Sequence, residues 1–121
     1  MPAGMKFRGE KQDFEEMVGN LLENACKYAQ SLIVAECLML KPEADGRLWL
    51  EVQVSDDGPG LPPEKWEEAM KRGRRLDETK PGSGLGLSIV TETAGMYAGK
   101  LRLGAASTGG LLSALKLPAV A

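Results

Sequence analysis

The stretch from Lys11 to Gln30 constrains this chain most, because its apolar residues recur at helical spacing while its amides fall on a separate stripe. At about 100° per residue, Phe14, Met17, Val18, Leu21, Leu22, Ala25 and Tyr28 form one broad face, and Asn20, Asn24 and Lys27 run along its edge. A face that wide has to be buried, so the helix needs a second layer, and its polar edge borders a core. Asn is a poor mid-helix residue. Two of them on one stripe are either ordinary solvated surface or chemistry: neutral amide oxygens suit a hard cation such as Mg²⁺, and an ammonium one turn on can meet the phosphates such an ion accompanies.

The second layer is legible further on. Leu48, Leu50, Val52 and Val54 alternate with Trp49, Glu51 and Gln53, the period of a half-buried strand. The apolar run Ser31 to Leu40 joins it across the turn-rich Lys41 to Gly46, which predicts a hairpin. A second hairpin is predicted from Gly99 to Ala106 and Leu111 to Leu117, joined by Ser107-Thr108-Gly109-Gly110 and ended by Pro118. Pro62 to Met70 reads as a short helix begun by prolines. Leu87, Val90, Ala94 and Tyr97 mark another amphipathic helix, Met5 to Arg8 a brief strand, and Asp13 a group that serves the N-terminus of the first helix. Helices alternating with hairpins imply a layer of helices on a sheet, and 121 residues suffice for one core but not two.

Composition removes several function classes. A net charge of -2 gives no basic field for nucleic acid. No apolar run is long enough to span a bilayer, and no leader peptide is recognisable. The absence of histidine excludes a Ser-His or Cys-His nucleophile and any histidine-based zinc site within these residues. Cys26 and Cys37 make no CxxC motif, and both are expected to be reduced, buried thiols.

Three glycine-bearing stretches follow the helix in order. Ser55-Asp56-Asp57-Gly58-Pro59-Gly60 leaves the second strand as a turn that is either plain surface or a site where main chain approaches a ligand. A carboxylate at its mouth can accept a hydrogen bond from an exocyclic amine such as that of adenine, and a base lacking the donor is rejected. Lys71 to Ser83 carries Lys71, Arg72, Arg74, Arg75 and Lys80 beside Asp77 and Glu78, a solvated charge run or a mobile lid whose cations reach a triphosphate. Gly82-Ser83-Gly84-Leu85-Gly86-Leu87 then opens into a helix, where successive amide N–H groups offer an anion site. Each stretch alone is weak; their order along one chain is specific.

That order resembles the catalytic ATP-binding domain of sensor histidine kinases, in the superfamily that includes gyrase, Hsp90 and MutL. The resemblance covers roughly Lys11 to Pro118. Asn20 to Ala29 is similar to the N box, DDGPG to the G1 box and GSGLGLSIV to the G2 box, and the RGRR-containing lid looks most like the PhoQ subgroup. The resemblance implies a two-layer α/β (α+β) sandwich, the Bergerat fold, with a mixed, mostly antiparallel sheet packed on helices and ATP with Mg²⁺ as cofactors. It implies that Asn24, with Asn20, binds Mg²⁺; that Lys27 and Tyr28 lie against phosphates and adenine; and that Asp56 bonds the adenine amine. Gly58 and Gly60 would shape the base pocket, while Gly82, Gly84 and Gly86, with the amides at Leu85 and Leu87, would frame the phosphates. Arg75 and Lys80, together with Lys27, match positions that offer cations to the transferred phosphate.

The same resemblance implies residues 1–121 as a single catalytic domain, truncated at its N-terminus, cytoplasmic and monomeric in isolation. It would be the cytoplasmic portion of a membrane-anchored sensor. Its partners would be a histidine-bearing dimerisation and phosphoacceptor domain and, indirectly, a response regulator. Three departures stand out: Met70 where an aromatic lid anchor is usual, with Trp66 nearby; Leu111 where many relatives place threonine; and little of the usual first strand and preceding helix. The alternatives are an ATP hydrolase or clamp of the superfamily, or an interaction module that has lost catalysis. Hydrolases of this kind place a glutamate base four residues before the metal-binding asparagine, where this chain has Asn20, which takes no proton at neutral pH. Glu23 points about 100° away from Asn24.

Overall fold

The computed structural model describes residues 6–66 and 86–120. In chain order the elements are β1 (Lys6–Phe7), α1 (Lys11–Tyr28), β2 (Ile33–Met39), β3 (Leu48–Asp56), a 3₁₀ turn (Pro63–Lys65), α2 (Gly86–Met96), β4 (Lys100–Ala105) and β5 (Leu111–Val120). Both predicted hairpins are present as β2–β3 and β4–β5. The central strand is β5: β3 pairs along one edge, while β4 and the short β1 share the other end to end. Every pairing among the described residues is antiparallel, so the part of the sheet seen here lacks the mixed character expected of it.

The α1 stripe and the β3 alternation find each other. Met17, Leu21 and Ala25 are buried against Leu50, Val52 and Val54, with Leu115 and Leu117 of β5 and Val90 and Ala94 of α2 completing the core. A fully buried side chain of this kind contributes about 1.5–3 kcal/mol over its exposed state, so this one face holds α1 to the sheet. Helices α1 and α2 lie on the same side of the sheet and touch each other. Among the described residues, no helix is long and apolar enough to cross a membrane.

Four local details differ from the sequence reading. Asp13 sits in the first turn of α1 but makes no cap; its carboxylate accepts the Tyr97 hydroxyl, whose oxygen also accepts the Glu10 N–H at 3.2 Å. That bond raises the Tyr97 phenol above its ordinary range, since the carboxylate disfavours a phenolate. Helix α1 stops at Tyr28 instead of Gln30, because the Gln30 and Ser31 N–H groups are taken by Asp57. Strand β5 does not end at Pro118 but runs on to Val120. The Pro118 carbonyl accepts the Arg8 N–H at 2.9 Å. Since N–H and C=O of a strand residue face one edge, the missing proline N–H falls in the gap between β4, whose pairing ends at Lys116, and β1, whose pairing begins at Ala119.

The fourth is Trp49, which lies on the outer face yet is only 6% exposed: Lys116 Nζ stands 4.7 Å from its ring centroid, and among the described residues its Nε1–H has no partner. Alternation assigns a face, not its coverage.

The cysteine expectation is corrected in part. Neither cysteine is in a disulfide, but Cys26 is exposed and Cys37 only half-buried. Cys26 stands one residue past buried Ala25 and so about 100° off the core direction. Cys37 lies on the edge strand β2, opposite Val52, and packs against the rim of the core while staying half-buried. Burial pushes its thiol pKa up. A maleimide is therefore expected to label Cys26 well before Cys37 at neutral pH, an order that mass spectrometry of a time course would check.

Candidate nucleotide site

The turn after β3 is built around one carboxylate. Asp56, the last residue of β3, is only 3% exposed. Its Oδ1 accepts the N–H of Gly58 at 2.9 Å and that of Leu111 at 3.3 Å. Its backbone carbonyl accepts the Gly110 N–H at 3.1 Å and the Thr108 hydroxyl. Among the described residues no hydrogen bond reaches Oδ2. A buried anion held by two main-chain donors on one oxygen keeps the other available to a ligand N–H.

Close main-chain approach makes this geometry possible. A Cβ at Gly58 would stand 2.2 Å from the carbonyl oxygen of Tyr28, so the turn lies directly on the end of α1. A Cβ at Gly110 would stand 2.1 Å from Asp56 Oδ1. Gly110→Ala should therefore displace the carboxylate. We expect a loss of about 1–3 kcal/mol in a denaturant titration, as for other overpacked sites, accompanied by loss of nucleotide affinity. Gly60, at φ +74°, faces the carbonyls of Gly109 and Gly110, which ties the two turns together.

The structure thus brings Asp56, Gly58, Gly60 and the end of α1 into one place. Asn20, Asn24, Lys27 and Tyr28 are all half-buried on α1, with Lys27 Nζ 5.8 Å from the Tyr28 ring centroid. Gly86 and Leu87 form the start of α2, and the Leu87 side chain is in the core. Arg75, Lys80, Gly82, Gly84 and Leu85, with Met70, lie outside the described residues. Trp66 is half-buried and donates its Nε1–H to the Leu61 carbonyl at 2.8 Å, a local tie on the stretch that follows the turn.

The donor set fits a metal only in one way. Among the described residues no group of three or more His, Cys, Asp or Glu is placed to hold an ion. Asn20 and Asn24, one helical turn apart, offer neutral oxygens that suit Mg²⁺ when phosphates and water complete its shell.

Two contributions escaped the sequence reading. The turn residues of Ser107 to Gly110 predict no more than a hairpin connection, yet Thr108, Gly110 and Leu111 clamp Asp56. Asp57 carried no assigned role, yet it makes four contacts to Gln30 and Ser31. The consecutive glycines were the signal for the first; nothing local marks the second.

Comparison with known proteins agrees with this geometry. Residues 9–121 match the family described as histidine kinase-, DNA gyrase B- and HSP90-like ATPase. The chain is 38% identical over 117 residues to the sensor protein kinase CarS of Pseudomonas aeruginosa, covering 97% of this chain and 25% of that protein. It is 39% identical over 106 residues to the sensor protein PhoQ of Escherichia coli, covering 88% of this chain and 21% of that protein. It therefore spans a quarter or less of the length of these relatives. Among solved structures, the mycobacterial sensor histidine kinase MprB superposes with a TM-score of 0.78 at 28% identity, over 95% of this chain and 78% of that one. With the sandwich of helices on an antiparallel sheet and the three boxes in order, the chain belongs to the histidine kinase-, DNA gyrase B- and HSP90-like ATPases, as an ATP-binding catalytic domain of the sensor-kinase type.

Proposed function

We propose that residues 1–121 form one catalytic domain that holds Mg-ATP and donates the γ-phosphate to a histidine on a separate dimerisation and phosphoacceptor domain, which in turn serves a response regulator. The domain works in the cytoplasm as part of a larger, membrane-anchored sensor. The observation that carries this reading is the buried Asp56 carboxylate, fixed through Oδ1 beside the end of the asparagine-bearing helix.

In this reading Asp56 Oδ2 accepts the adenine amine, and Tyr28 lies along the base. Asn24 and Asn20 hold Mg²⁺, which supplies charge neutralisation at the phosphates. Lys27 meets the phosphates from α1, and the amides at Gly86 and Leu87 meet them from the start of α2. Gly82, Gly84 and Leu85 continue that cradle, and Arg75 and Lys80 close on the transferred phosphoryl group. Phosphoryl transfer needs alignment and charge stabilisation more than covalent help. These residues supply both, the amides and asparagines by alignment and Lys27, Arg75 and Lys80 by their charge, and none forms a bond to the phosphoryl group. The chain holds no histidine, so the nucleophile comes from the partner. Bringing it in supplies proximity worth about 7–11 kcal/mol in well-oriented systems. Asn20, where a water-activating enzyme of this superfamily has glutamate, weighs against hydrolysis, and Glu23 is exposed to solvent.

Calorimetric titration with ATP, with and without Mg²⁺ and then with GTP, tests this reading, with ADP release followed over time. Adenine-selective, Mg-dependent binding without turnover until a histidine-bearing domain is added is the expected result. Sustained ADP release by the chain alone would make it a hydrolase, and no binding would make it an interaction module.

A further inference from the structure

Asp56 and Asp57 are neighbours with opposite assignments. Asp56 turns into the buried site, while Asp57 reaches across to the connection between α1 and β2. Its Oδ1 accepts the Gln30 N–H at 2.8 Å and the Ser31 N–H at 3.0 Å; its Oδ2 accepts the Ser31 hydroxyl at 2.8 Å and the Ser31 N–H at 3.2 Å. The carboxyl is held well below the ordinary carboxylate range, first by the Ser31 N–H, then by that of Leu32 and by the Ser31 hydroxyl. It is an anion wherever the protein is folded near neutrality, and its bonds are charge-assisted.

The bracket has two consequences for position. It diverts the two N–H groups that would have continued α1, and so fixes where the helix ends. It also flanks the closest approach in the site: Gly58, the next residue, lies against the Tyr28 carbonyl, the last of α1. One end of the bracket is therefore rigidly linked to Asp56, the other to the helix that carries Asn20, Asn24 and Lys27.

We propose that Asp57 is a positioning residue for nucleotide binding, holding the asparagine helix at the distance from Asp56 that lets one ATP molecule engage both ends at once. This rests on the reading that Asp56 takes the base and α1 the Mg-phosphate end. The gain from joining two recognised parts in one ligand depends on their sites matching the ligand's span. A shift between them costs the whole molecule affinity while each part still finds its own site. Asparagine at position 57 would keep one acceptor oxygen and present an NH₂ toward backbone N–H groups, whereas glutamate would keep the charge on a longer arm.

The test measures three ligands separately by NMR titration: ATP with Mg²⁺, adenosine, and inorganic tripolyphosphate with Mg²⁺. For Asp57→Asn we expect Mg-ATP affinity to fall about tenfold, as when an outer group that orients ligating residues is lost. Adenosine and tripolyphosphate should each stay within about twofold, and Asp57→Glu should recover part of the loss. Unchanged ATP affinity in the folded variant overturns the proposal. So does a parallel fall for all three ligands, which marks a staple of the fold and nothing more. If circular dichroism shows Asp57→Asn unfolded, Ser31→Ala, which removes one hydroxyl donor, is measured on the same three ligands and judged by the same pattern. Failure of the wild-type chain to prefer ATP to GTP would strike the underlying site reading instead, and is scored before any variant.

Discussion

Asn24→Ala is expected to lower Mg-dependent ATP affinity by more than about 100-fold, beyond the 10–100-fold that loss of an outer-shell group costs, while leaving the fold as stable as before. The two halves of this expectation have separate grounds. Asn24 is half-buried on α1, and among the described residues its amide makes no hydrogen bond, so the folded chain loses no partner when it goes. Alanine is also the better mid-helix residue, by up to about 0.7 kcal/mol. The asparagine therefore does little for α1, and its oxygen is free for a ligand. Thermal unfolding without nucleotide should shift slightly upward or not at all, while calorimetry with Mg-ATP loses its signal. With the ion chelated, wild type and variant should bind ATP alike. Unaltered Mg-ATP binding by the variant would remove Asn24 from the metal set.

Asp56→Asn should reduce ATP affinity by about 5- to 150-fold, the range that follows from about 1–3 kcal/mol for a desolvated donor facing no acceptor, and should erode or invert the preference for ATP over GTP. The substitution can keep an oxygen at the Oδ1 position, where the Gly58 and Leu111 N–H groups need it. The new NH₂ then stands where Oδ2 was. It opposes the adenine amine, donor against donor, but can donate to the guanine carbonyl oxygen. The reverse orientation would aim the NH₂ at two main-chain donors and is disfavoured. Dissociation constants for both nucleotides decide the matter: a variant that keeps its preference for adenine would mean that Asp56 supports the turn and does not read the base.

Much of this was legible because the informative patterns are local. The apolar stripe of α1 and the alternation of β3 each depend on neighbours within a few residues, and each needs the other for burial, so the layered α/β arrangement follows from the two together. Both hairpins were marked by turn residues between runs of strand type. The N, G1 and G2 boxes were recognisable because close backbone approach, as at Gly58, demands glycine and because the order of the three stretches along one chain is specific. Comparison with sensor kinases agrees with that family reading.

What the chain could not declare were contacts set by distance in space. Helix α1 was expected to reach Gln30, and helical propensity alone gives no reason to stop sooner; Asp57, from another element, takes its next two N–H groups. Pro118 looked like the end of a strand, but the sheet places its missing donor in a gap between two partners. Trp49 and Cys26 obeyed their periodicities, yet burial followed what covered each side chain. The sequence by itself determined the element types, the pairing of helix face with sheet face and the kinds of atoms in the site, since these depend on short-range spacing and side-chain chemistry. Only the tertiary structure decided that the last hairpin turn would clamp Asp56 and that Asp57 would fix the end of α1, because hydrogen bonds between elements far apart in the chain depend on how the layers close.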